Sequence, residues 1–146
     1  MKKILLLICI LLLCGCGTKT MKCTSKNEQQ KYTLTSEYTI NYKGSVVKSV
    51  NTVETFESSD TELLSKTENS FNKTFEKNNE LYGGYDYKVT NSNGKVVSTV
   101  TVDYNKMDLE KFIKDNEAMK AYVNDKNQVT LEGIKKLYES TGAKCE

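Results

Sequence analysis

Two cysteines set the tightest limit on how this chain can fold. Cys23 and Cys145 stand near opposite ends of the sequence, with no other cysteine between them. If they are joined, any fold open to the chain must bring its start and its end together. The compartment decides this, because disulfides persist in oxidising surroundings and are rare in reducing ones. Met1-Lys2-Lys3 is a basic start, and Ile4–Leu13 is an unbroken apolar run. A basic start with an apolar run of about 7–15 residues is the pattern of a removable export leader. The run is too short for a bilayer-spanning helix, which needs about 20 apolar residues. Export predicts a Cys23–Cys145 disulfide. Closing a loop of about 120 residues is worth up to roughly 5 kcal/mol in the chain-entropy model. A metal pair or a reactive thiol fits less well. Two lone cysteines without His make a poor zinc site, and a reactive thiol usually has a basic or His partner.

The leader runs into Leu13-Cys14-Gly15-Cys16. This resembles a bacterial lipobox, with Leu, a small residue and Gly ahead of the cysteine that is lipidated. The resemblance implies a diacylglyceryl thioether on Cys16, cleavage after Gly15, and a chain held on the outer face of the bacterial cytoplasmic membrane. Cys14 does not fit the anchor position, because Leu13 would then occupy the site where the peptidase wants a small side chain. The plainer alternative is a secreted protein cut near Gly17. Two acyl chains anchor stably where one binds only marginally. The expected organisation is a lipoprotein signal peptide at 1–15, a lipidated tether at 16–22 and a single extracytoplasmic α+β domain at 23–146.

Composition narrows the functional classes. Every basic residue is Lys, and removing Lys2 and Lys3 with the leader leaves as many lysines as the 19 acidic residues. A neutral, Arg-free domain lacks the basic footprint that nucleic acid requires. The absence of His removes the commonest general base and the commonest zinc ligand. No cofactor is expected. Leu, Ile, Val and Phe supply only about a fifth of the residues past the leader, a thin core that a covalent clasp would help. The nine Tyr add apolar area.

Hydrophobic periodicity predicts the elements. Lys19–Gln30 is polar, with a short strand around Met21–Ser25. Tyr32, Leu34, Tyr38, Ile40 and Tyr42 alternate with polar residues, as in a half-buried strand. Lys43-Gly44-Ser45 is a turn, and Val46–Phe56 is the returning strand. Ser59-Asp60-Thr61-Glu62 fits a capping box. Leu64, Phe71, Phe75 and Tyr82 then share one face of a helix from about Thr61 to Leu81, ended by Gly83-Gly84. A second hairpin follows, Tyr85–Val89 and Val96–Tyr104, turned by Asn93-Gly94. Asp108 caps a short helix, Glu117–Tyr122 is another helical turn, and Thr130 caps a last helix that stops at Gly142. The expected fold is α+β: an antiparallel sheet of four to five strands from two hairpins, a long helix between them, and short C-terminal helices.

Chemistry-bearing motifs are sparse. Ser45-x-x-Lys48 reads as the exposed face of a strand. Asp86 and Asp103, on the two arms of one hairpin, are the only carboxylate pair worth weighing for a hydrolase, and solvent-facing strand residues are the simpler reading. Asn124-Asp125-Lys126-Asn127 carries oxygen ligands, but Lys126 intrudes and the segment reads as a turn, so no metal site is expected. Tyr82, Tyr85 and Tyr87 cluster after the helix, and Tyr32, Tyr38 and Tyr42 line one strand. Either group could form a binding stripe or pack beneath a helix.

The lipobox Leu13–Cys16, the segment Tyr38-Thr39-Ile40-Asn41-Tyr42-Lys43-Gly44 with Val46 and Val47, and Tyr87-Lys88, Val100-Thr101-Val102-Asp103-Tyr104 and Asp108-Leu109 together resemble the YehR-like bacterial lipoproteins. The resemblance covers roughly residues 30–113, and departs after about Asp115 and at the Cys23/Cys145 pair. It implies an α+β fold and no catalytic residues. The functional expectation is a membrane-anchored, non-catalytic binding domain with an envelope or protein partner. A small-ligand carrier with a pocket between sheet and helix is the alternative, and a carboxylate hydrolase the remoter one.

Overall fold

The computed structural model describes residues 17–146. The leader expected at 1–15 and the lipidation expected on Cys16 lie outside the described residues. Six strands form one antiparallel sheet: β1 (Lys19–Glu28), β2 (Thr33–Lys43), β3 (Val46–Glu57), β4 (Tyr85–Ser92), β5 (Lys95–Asp103) and β6 (Lys144–Cys145), in the order β4-β5-β3-β2-β1-β6. Helices α1 (Thr61–Tyr82), α2 (Leu109–Asp115) and α3 (Leu131–Ser140), with a 3-10 turn over Glu117–Tyr122, complete the chain.

The α+β class stands, but the expectation of four to five strands from two hairpins is corrected. The sheet is a three-stranded meander β1–β2–β3, an inserted α1, the β4–β5 hairpin and a closing β6. Two strands lie outside the hairpins: β1, which contains and extends the short strand expected around Met21–Ser25, and β6, which was not expected. β1 is ten residues long and pairs along its whole length with β2, from Lys19 opposite Tyr42 to Glu28 opposite Thr33. Its sequence is almost wholly polar, so backbone pairing rather than apolar alternation makes it a strand. β6 exists where Cys145 lies opposite Cys23. Residues 19–22, expected as tether, are therefore part of the sheet.

Local signals hold where they are chemical. Asn93 and Gly94 both take positive φ, at 52° and 75°, as the two-residue hairpin turn requires. α1 starts one residue later than a Ser59 cap would have it: Asp60 accepts from the backbone N–H groups of Glu62 and Leu63, both at 3.0 Å. Gly83, at φ 67°, ends the helix.

The covered face of the sheet carries two apolar clusters. One gathers Cys23, Ile40, Val47, Val50, Val129, Ile134 and Ala143 beneath α3. The smaller one joins Phe56 and Val96 to Leu64 of α1. The disulfide between Cys23 and Cys145 spans 122 residues of sequence and ties the end of the chain into the first cluster.

Candidate functional site

The expected tyrosine stripe is mostly packing. Tyr82 is buried, meets the edge of the Phe112 ring at 5.1 Å, and donates its hydroxyl to Asp115 at 3.3 Å. Tyr87 packs against Phe75 at 5.5 Å, and both are half-buried. Tyr85 is also half-buried; burial pushes its phenol pKa up, and neighbouring Tyr82 adds to the shift. Tyr38 stacks on Tyr138 at 4.0 Å and Tyr32 on Phe56 at 4.8 Å. Tyr38 and Tyr87 tie α3 and α1 to the sheet, Tyr82 ties α1 to α2, and Tyr32 packs over Phe56 of β3. Asp86 and Asp103 form no opposed pair. Asp86 is exposed opposite Thr101. Burial would push the Asp103 carboxyl up, but hydrogen bonds from Asn105 and the nearby Lys106 outweigh it and hold its pKa below the ordinary value.

A better site lies at the start of β3. Asn41 opposes Ser49 while Tyr42 opposes Val47, so Lys48 is the extra residue of a β-bulge. A bulge re-aims a side chain and breaks the regular ladder. Here it corrects the reading of Lys48 as one residue of a plain exposed strand face. Lys48 is half-buried and lines a cavity of about 140 Å³ with Val46, Val47, Tyr104, Leu109 and the loop Asn127-Gln128-Val129. Its carbonyl accepts from the Tyr104 N–H at 3.0 Å, which docks the end of β5 against the bulge. Among the described residues Lys48 enters no ion pair.

The opposite wall is a loop held by its own side chains. Asn124 Oδ1 accepts from the N–H groups of Lys126 and Gln128, both at 3.0 Å, and Asn124 Nδ2 donates to Gln128 Oε1 at 3.1 Å. Asn127 sits in the left-handed region at φ 54°, a conformation that non-glycine residues seldom adopt outside turns and functional loops. Val47 N–H donates to the Val129 carbonyl at 2.9 Å and pins this loop to β3. Asn105, at the cavity rim, is fixed by its hydrogen bonds to Asp103. Burial pushes the Tyr104 phenol far above its ordinary pKa, so it stays neutral. The arrangement is one lysine and a set of held amides over an apolar floor. It suits a small polar ligand with a negative end.

One polar group was not anticipated. Ser36, Glu54 and Ser98 are paired in a row across β2, β3 and β5, on the covered face between the two apolar clusters. Ser36 and Ser98 are 3 % and 0 % exposed, and their hydroxyls face Glu54 at 3.5 and 3.4 Å. Burial pushes the Glu54 pKa up, and the two hydroxyls only partly oppose this. The signal was present: Val50, Thr52, Glu54 and Phe56 share one face of β3, and an acid in that series is out of place. Among the described residues no group of three or more His, Cys, Asp or Glu side chains could hold a metal ion, and no helix is long and apolar enough to cross a membrane.

No family model and no curated protein matches the chain. Two solved structures share its fold. The NMR structure of the Escherichia coli YehR protein has a TM-score of 0.61 at 17 % identity, covering 90 % of this chain and 92 % of that one. The NMR structure of a protein from Streptococcus pneumoniae TIGR4 has a TM-score of 0.52 at 16 % identity, covering 89 % and 86 %. At these identities the likeness extends to the fold alone, which is YehR-like.

Proposed function

We propose that this chain is a lipid-anchored, non-catalytic binding domain on the outer face of a bacterial cytoplasmic membrane, serving an envelope or protein partner. The observation that carries the reading is Cys16, directly behind an apolar export leader and preceded by Leu13, Cys14 and Gly15. The Cys23–Cys145 disulfide supports it, because such a bond belongs to an oxidising compartment. β1 begins at Lys19, so only Gly17 and Thr18 separate Cys16 from the sheet. At about 3.5 Å per residue this holds the Lys19 end of the domain against the headgroups. Replacing Cys16 by Ser is expected to release the protein into the medium or leave it unprocessed. Unchanged processing and membrane attachment would refute lipidation.

The Lys48 cavity favours a second reading of what the domain binds: a small carboxylate-bearing ligand. It lies at the start of β3, a central strand, rather than beneath α1, and it is smaller than the clefts of about 300 Å³ and upward that hold drug-sized molecules. A ligand that binds only the folded chain raises its melting temperature. Amino acids and short-chain carboxylates are the probes. At least one is expected to raise the melting temperature of the wild type but not of Lys48→Met. A panel that leaves the wild type unmoved refutes this reading and leaves the anchoring proposal standing.

A further inference from the structure

We propose that β4 is a self-association edge, through which two copies of this chain join their sheets about a two-fold axis at Tyr87. β4 pairs with β5 on one side only. The hydrogen-bond parity is set by Asp103, whose N–H donates to the Gly84 carbonyl at 2.8 Å, and by the two-residue turn at Asn93-Gly94. Even-numbered residues of β4 therefore bond to β5, and the N–H and C=O groups of Tyr87, Val89 and Asn91 point away from the sheet. The Tyr85 N–H, also on that side, is taken by Asn79 Oδ1 at 3.1 Å. The stretch from Tyr87 to Asn91 thus presents an open template for another strand.

Charge selects the occupant and the register. An antiparallel second copy must set odd residues opposite odd ones. With Tyr87 on the axis, Asp86 of each copy faces Lys88 of the other, and Tyr85 faces Val89. A shift of one pairing step either way puts Asp86 against its own copy or Lys88 against its own copy, and like charges directly opposite are destabilising. A shift of two steps that sets Val89 on the axis leaves both charges unmatched. The strand is self-complementary in one register, as an isologous interface requires.

The helix over this flank supplies a reason for cover. Phe71 and Phe75 of α1 lie at 6.0 Å from one another, and Phe75 leans on Tyr87. All three rings are only half-buried. The two-fold brings both copies' α1 to the same side of the joined sheet, with Tyr87 at the seam and Phe75 against it.

The test uses the purified full chain with Cys9, Cys14 and Cys16 changed to Ser in every sample, the wild-type comparison included, and Tyr87→Cys added, oxidised with diamide. Hydrogen-bonded antiparallel pairs hold their Cα atoms about 5.5 Å apart, within disulfide reach. The expected result is a reducible dimer that the wild type does not form. Adding Lys88→Asp is expected to cut its yield about tenfold, and adding Asp86→Lys as well to restore it. Because Tyr87→Cys also removes a ring that packs on Phe75, carbodiimide is applied to mixed light and heavy-nitrogen wild-type chains. A mixed-isotope Asp86–Lys88 cross-link is expected. The proposal is overturned by a lack of dimer in both experiments, by a yield indifferent to Lys88→Asp, or by a Tyr87→Cys product that forms only with another polypeptide.

Discussion

The two flanks of the sheet solve the same problem with different means. On the β1 side, Ile40, Val47, Val50, Val129 and Ile134 are at most 2 % exposed, and a disulfide closes the cluster. α3 contributes only ten residues, yet it buries Ile134 completely and stacks Tyr138 on Tyr38. On the β4 side a helix of 22 residues buries only Leu64 and Tyr82, and its phenylalanines remain half in water. Helix length therefore says little about contribution to stability. What matters is how much apolar area leaves water, at roughly 25 cal/mol per Å². The long helix lies on the open side and the short one on the closed side, so buried and half-exposed apolar surface are segregated across one sheet.

Breaking the clasp should have the largest effect. Cys23→Ser with Cys145→Ser is expected to cost about 2–5 kcal/mol, read as a lower denaturant midpoint. A loss near zero would mean that the first cluster holds the ends together unaided. Next come the two helices. Ile134→Ala should cost about 3 kcal/mol, because it leaves a cavity in a fully buried site. Phe75→Ala, at a half-buried ring, should cost about 1 kcal/mol. Equal losses by chemical denaturation would show that the flanks are not as unequal as their burial indicates.

The smallest effect sharpens the boundary between the clusters. Glu54 has a folded pKa above its unfolded value, because burial disfavours its charged form. Between those two values the native state holds more protons than the unfolded state, so stability falls as pH rises through that window. Glu54→Gln should flatten this slope and be the more stable protein at neutral pH, with the difference shrinking as the pH drops below the ordinary carboxylate range. Melting curves across that range measure it. A slope unchanged in the variant would mean that the row Ser36–Glu54–Ser98 is hydrated enough to carry its charge freely.

Much of this organisation could be read locally. Asn93-Gly94 needs no tertiary help to favour positive φ, Asp108 and Thr130 cap their helices with their own oxygens, and alternation along Leu34–Tyr42 marks a covered face. The cysteine pairing followed from compartment and count alone. Three features were not legible for a shared reason. β1 carries few apolar residues, so only a short strand around Met21–Ser25 could be read, and its full length from Lys19 to Glu28 rests on backbone bonds to β2. The Lys48 bulge is a register shift between two strands and leaves no mark on either sequence alone. The cavity beside it joins β3, the end of β5, α2 and the loop at 127–129, which are far apart along the chain.

Side-chain and turn chemistry acts over a few residues, so sequence is sufficient for caps, turns, alternation and the candidate disulfide. Which edge stays open, whether Lys48 falls out of register with β2 and how far α1 is covered depend on pairings between distant segments. Those pairings trade loop entropy against burial over the whole domain, and only the assembled sheet resolves that balance.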